Sequence, residues 1–104
     1  MKIEFDPAKN IRNTKERGLP FVRVAELEWD LALIYEDTRK DYPERRFIAH
    51  GVIGDRLHVV VFTPVTGGIR VISFRKANKR EVRAYASKRP ADSNADGSRG
   101  SRDQ

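Results

Sequence analysis

Short blocks of patterned apolar residues alternate with polar punctuation along the chain, and each block predicts an element. Met1 to Phe5 alternates as a short strand, and Asp6-Pro7 reads as an N-cap followed by proline at the first helical position. A helix from Pro7 through Arg17 places Ala8 and Ile11 inward and Lys9, Arg12, Lys15 and Arg17 outward, until Gly18 supplies a left-handed stop. Beyond Pro20, apolar residues at 21, 22, 24, 25, 27 and 29 predict a second helix of roughly three turns. Leu31 to Glu36 predicts a strand, and 37 to 44, with Pro43, has loop composition. Three further strands follow over 45–53, 56–64 and 69–75, joined by Gly54-Asp55 and by Val65-Thr66-Gly67-Gly68 as hairpin turns. Asn78 with Glu81 three residues on resembles a capping box for a last helix lined by Val82, Tyr85 and Ala86.

These elements predict an α+β fold: an N-terminal helix pair packed on an antiparallel β-meander, followed by a basic C-terminal helix. Residues 1–88 form one domain in this reading, and 89–104, which lack any large apolar residue, read as a disordered polar tail. A two-residue Gly54-Asp55 turn pairs Ile53 with Arg56, and strand alternation then assigns faces. Arg46, Ile48, His50, Val52, Leu57, Val59, Val61, Thr63, Arg70, Ile72 and Phe74 share the expected core face beneath the helix pair. Arg45, Phe47, Ala49, Gly51, Ile53, Arg56, His58, Val60, Phe62, Ile69, Val71, Ser73 and Arg75 share the other, where cations mix with aromatics in a pattern suited to single-stranded RNA or to a second, smaller core.

The length of 104 residues favours one small domain. No apolar run approaches the roughly 18–20 residues of a membrane span, and the N-terminus shows no apolar signal-peptide core. With no cysteine, disulfides, thiolate nucleophiles and cysteine-based zinc sites are excluded, and a cytoplasmic location is expected. The formal net charge of +6 is concentrated: residues 75–89 alone carry it, with Arg75, Lys76, Lys79, Arg80, Arg83, Lys88 and Arg89 against Glu81. Residues 26–44 are locally acidic, so the molecule is dipolar, with one basic end suited to an anionic partner such as RNA phosphates.

Familiar catalytic signatures are missing: no glycine-rich phosphate loop, no nucleophile elbow and no paired-histidine zinc motif. The carboxylates between 26 and 44 show no metal-like grouping, so no metal and no cofactor is expected. His50 and His58, the two histidines, fall on opposite faces in this register and read as hydrogen-bonded sheet residues rather than catalysts.

Several segments together resemble the BrnT toxins of bacterial type II toxin–antitoxin pairs. They are Phe5-Asp6-Pro7-Ala8-Lys9 with Asn10 or Asn13, Gly18 with Phe21 and Ala25, and Glu44, Arg46, Phe47, Ile48 and Gly51. LHVVVFT over 57–63 and IRVISFRKANKREVRAY over 69–85 complete the pattern. The resemblance implies a RelE-like ribonuclease fold and a toxin that inhibits translation by cutting RNA. It implies neutralisation by a ribbon-helix-helix antitoxin of the BrnA type, with operator DNA bound only through that complex. Carried over by position, the candidate catalytic residues are Arg46, Arg75, Lys76, Arg80 and Tyr85. Ser73 and Lys9 join them as RNA-binding candidates, beside Arg45, Lys79 and Arg83 from the cationic surfaces. The chain departs from the family at Glu16-Arg17, where Lys-His is usual, and at His50 and His58, where aliphatic residues are. Chemically, arginine and lysine can hold a phosphate while tyrosine or lysine moves protons, so metal-independent cleavage is the expectation. The alternative from another class is a non-catalytic RNA- or ribosome-binding module using the same basic surface; a third is a protein-binding partner whose basic helix docks an acidic segment.

Overall fold

A computed structural model describes residues 1–88, and the polar segment 89–104 lies outside the described residues. Five strands form one sheet in the order β1-β5-β4-β3-β2, with β1 (Lys2–Glu4), β2 (Leu33–Glu36), β3 (Phe47–Ile53), β4 (Arg56–Val65) and β5 (Gly68–Lys76). Strands β2 to β5 are an antiparallel meander, whereas β1 runs parallel to the start of β5, Lys2 opposite Gly68 and Glu4 opposite Arg70. The sheet is therefore mixed rather than wholly antiparallel. Both predicted hairpins form: Ile53 faces Arg56, and Val65 faces Gly68 across Thr66-Gly67.

Helix α1 (Pro7–Arg17) has the predicted ends, since the Asp6 side chain accepts from the Ala8 N–H and Gly18 adopts φ 69°. The second helix of the expected pair is replaced by two 3-10 segments, Phe21–Glu26 and Trp29–Leu31. Valines at 22 and 24 are poor helix formers, and Leu27 turns extended at ψ 141°, which ends the first segment before a second α turn closes. Helix α2 (Lys79–Lys88) begins in the predicted capping box: the Glu81 N–H donates to Asn78 Oδ1 at 2.8 Å, and the Asn78 N–H donates to Glu81 Oε1 at 2.9 Å.

Along β3 and β4 the two sheet faces are used in the opposite sense to the sequence expectation. The main core, beneath α1 and the 3-10 segments, gathers Leu19, Phe21, Val24 and Leu27 onto Ala49, Ile53, Val60, Phe62, Ile69, Val71 and Phe74. Ile48, Val52, Leu57 and Val59, expected there, instead form a smaller cluster with Ala77 and Tyr85 of the C-terminal segment. A second correction lies within β5. The register shifts between Val61 and Phe62, which face Ser73 and Val71, so Ile72 is one residue too many for its partner strand. Because of this bulge Phe74 keeps its expected place in the main core, though beside Val60, while Ser73 and Arg75 stay on the other face, now with Val61, Val59 and His50.

Strand β1 covers only the first part of β5, and α1 closes the rest. Asn13, 7% exposed, donates from Nδ2 to the carbonyls of Leu19 at 2.8 Å and Phe74 at 3.0 Å. Gly51 serves packing: a Cβ there would lie 2.7 Å from Leu27 Cδ2, so only glycine lets the 3-10 segment reach β3.

Candidate active site

Helix α2 folds back over the face that carries His50 and Arg75, and divides the basic surface in two. On its inner side, Leu33, Tyr35 and His50 of the sheet and Arg80, Glu81, Ala84, Tyr85 and Lys88 of the helix line a cleft of about 220 Å³. Arg80, Ala84 and Lys88 follow one another at four-residue spacing, which puts both cations on the same helical stripe. On the outer side, Lys79, Val82 and Arg83 turn toward Arg56 instead.

His50 stacks on Tyr35, ring centroids 5.7 Å apart and 18° from coplanar. Burial and the cations Arg75 and Lys88 push its imidazole below the usual 6.5, against the opposing pull of Glu81, so the ring is neutral at pH 7. Arg75 lies on the same face two strands away, through the pairs Arg75–Val59 and Val59–His50. Its guanidinium is held in a two-point ion pair, Nη1 to Glu81 Oε1 and Nη2 to Glu81 Oε2, both 2.8 Å. Glu81 thus fixes Arg75 and caps α2 at once, and the Arg75 hydrogen bonds hold its carboxyl down at about 2. The Tyr85 hydroxyl donates to the Leu31 carbonyl at 3.2 Å, anchoring the far end of α2 to the β2 side. Neither Arg80 nor Lys88 makes an ion pair among the described residues.

The Glu81 pairing has a measurable consequence. Its folded-state pKa lies below the unfolded value near 4.5, so the ion pair stabilises fully above that value and its contribution is lost as pH falls toward about 2. Glu81→Gln keeps a capping side chain but loses the charge, and should cost about 1 kcal/mol at pH 7 in urea unfolding. The difference from wild type should shrink through that acid window; a constant difference would show that the charge is not what stabilises.

The other candidate residues are distributed around the molecule. Lys76 follows Arg75 directly and pairs with His58, so it projects to the opposite face and shares no site with Arg75. Lys79 and Arg83 belong to the outer side of α2, away from the cleft. Arg46 precedes β3 with its guanidinium 4.0 Å above the Tyr42 ring, and Arg45 pairs with Glu36 at 3.0 Å and lies over Phe47. Lys9 and Ser73 come together in a different cleft, between α1 and β5. His58 fits its structural reading, 3% exposed, with Nδ1 2.8 Å from the Arg56 carbonyl oxygen and its ring against Phe74.

His50 also lies in the sheet, but its side chain makes no hydrogen bond among the described residues and is held by the stack on Tyr35. Tyr35 and Lys88, like His50, were not among the candidates. Strand parity between β2 and β3 already places Leu33 and Tyr35 with His50; what concealed the grouping was the bulge that brings Arg75 to the same face. Within the acidic stretch Asp37, its side chain fully buried, takes a two-point ion pair from Arg39 and is held far below the usual carboxylate range. Among the described residues no three His, Cys, Asp or Glu side chains gather as metal ligands, and no helix is long and apolar enough to cross a membrane.

The cleft thus sets a neutral imidazole beside two cations, Arg80 and Lys88, that make no ion pair among the described residues. The family model that matches, over residues 5–81, describes the ribonuclease toxin of a type II toxin–antitoxin system. The chain belongs to that family, BrnT, and membership implies an antitoxin partner. No curated protein matches the chain.

Proposed function

We propose that the protein is a metal-independent endoribonuclease of RelE-like fold that inhibits translation by cutting RNA in the α2 cleft. A ribbon-helix-helix antitoxin restrains it. The observation that carries this reading is His50, a neutral, half-buried imidazole stacked on Tyr35 in a cleft rimmed by Arg80 and Lys88, cations that make no ion pair among the described residues.

In this reading His50 accepts the 2′-hydroxyl proton, and the freed oxygen attacks the adjacent phosphorus while the bond to the 5′-oxygen breaks. Arg80 and Lys88 meet the charge that develops on the phosphoryl oxygens, and Arg75, already fixed by Glu81, needs no reorganisation to add to it. Tyr85 returns a proton to the leaving 5′-oxygen. The products are a 2′,3′-cyclic phosphate and a 5′-hydroxyl. Tyr35 offers an exposed ring on which a base beside the scissile bond stacks.

The test is to incubate the purified, antitoxin-free protein with a long RNA in excess EDTA and to identify the new ends. We expect cleavage that leaves cyclic phosphate and 5′-hydroxyl termini. RNA that is bound in a salt-dependent way yet stays intact, on ribosomes as well as free, would replace the enzyme with a binding module.

A further inference from the structure

We propose that the cleft between α1 and the free edge of β5 is a second phosphate site, which grips the RNA strand away from the bond being cut. The inference rests on the reading of the α2 cleft as the cutting site and adds the path the strand takes to leave it.

The cleft holds about 180 Å³ and brings Lys9, Arg12 and Arg17 of α1 against Ile72 and Ser73 of β5. Three cations meet one carboxylate there, Glu16, and none of the four makes an ion pair among the described residues. Arg17 is preorganised. Its Nη1 donates to Asn13 Oδ1 at 2.9 Å and to the Phe74 carbonyl at 3.3 Å, and Asn13 is itself buried and bonded to the sheet edge. The remaining guanidinium N–H groups have no protein acceptor among the described residues, which suits a phosphate oxygen. Ser73 adds a hydroxyl with no hydrogen-bond partner among the described residues.

Position ties this cleft to the other one. The bulge leaves Ser73 and Arg75 two residues apart on a regular stretch of strand, hence on one face and about 7 Å from each other. A strand with its scissile phosphate between His50 and Arg80 passes Arg75 and Ser73 and arrives at the α1 cations. A sugar–phosphate chain suits such a route, because its charges recur along its length.

The experiment measures binding of fluorescein-labelled 2′-O-methyl RNA, which cannot be cut, at about three and about twelve nucleotides over a range of salt. The variant is Lys9→Gln with Arg12→Gln, two side chains that hold nothing in the fold; Arg17→Gln is added separately, with its folding checked by circular dichroism. For the longer RNA we expect about tenfold weaker binding at low salt and a salt dependence shallower by about 1.4 in log–log slope, or about 0.7 for each phosphate no longer neutralised. The short RNA should bind as tightly as to wild type, and cleavage of long RNA should show a raised KM with kcat unchanged. An unchanged salt slope, or equal losses for short and long RNA, would overturn the assignment. Wild-type protein that binds the longer RNA with the full slope but cuts no RNA would sink the catalytic reading and leave this site standing.

Discussion

Replacing His50 with glutamine should lower the rate of RNA cleavage by about 10²–10⁴-fold while the protein stays folded. Glutamine keeps much of the volume and can stack against Tyr35, so the β2–β3 pair persists. What it lacks is a nitrogen able to accept a proton near neutral pH. The pH dependence makes the assignment sharper. Burial lowers the imidazole below 6.5, so the wild-type rate should hold through neutral pH and fall on the acid side with a midpoint below that value, where the ring becomes protonated and can no longer act as a base. The variant should lose this acid limb along with the rate. A variant that cuts at the wild-type rate, or a wild-type acid limb whose midpoint lies at or above 6.5, would remove His50 from the chemistry.

Phe74→Ala destabilises the domain by about 3–5 kcal/mol, the range for emptying an aromatic from a packed core. The side chain is fully buried, it faces Val60, and the His58 ring lies 5.5 Å from its own. The gap opens beside His58, which loses the surface that holds its ring. The substitution leaves the Phe74 carbonyl in place, so the Asn13 and Arg17 hydrogen bonds to it survive, and the loss reports packing alone. In urea unfolding the midpoint should drop sharply with the slope unchanged. A loss below about 1 kcal/mol would put Phe74 outside the main core and undo the bulge that breaks simple alternation from Gly54-Asp55.

That alternation shows where sequence reasoning reached and where it stopped. Local chemistry was legible: Asp6-Pro7 and Gly18 bound α1, Gly54-Asp55 sets the first hairpin, and Asn78 with Glu81 caps α2. Which face carries the main core was not, because β3 and β4 are apolar on both faces and each receives a cover. The bulge at Ile72 leaves no mark in composition, yet it exchanges the sides of Phe74 and Arg75. The pairing of β1 with β5 joins residues 66 positions apart, which no local pattern encodes. The 3-10 segments kept their apolar spacing, but Phe21–Glu26 is too short and valine-rich to sustain an α-helix.

The candidate site divided in the same way. The basic residues at 75 to 88 were evident from charge, but charge alone did not say that α2 presents Arg80 and Lys88 to one side and Lys79 and Arg83 to the other. Nor did it show that Lys76 and Arg75 point apart. The grouping of His50 with Tyr35, Glu81 and Lys88 depends on tertiary packing.

The measurement that bears most directly on the α2 cleft compares two double variants of the one helix. Arg80→Ala with Lys88→Ala strips the inner side, and Lys79→Ala with Arg83→Ala removes the same charge from the outer side. Both are assayed on saturating long RNA in EDTA. We expect the inner pair to lose cleavage at least a hundredfold, as removal of charges that meet a developing oxyanion does, and the outer pair to retain it. Equal loss in both, or loss in the outer pair alone, would contradict a cutting site on the His50 side of α2.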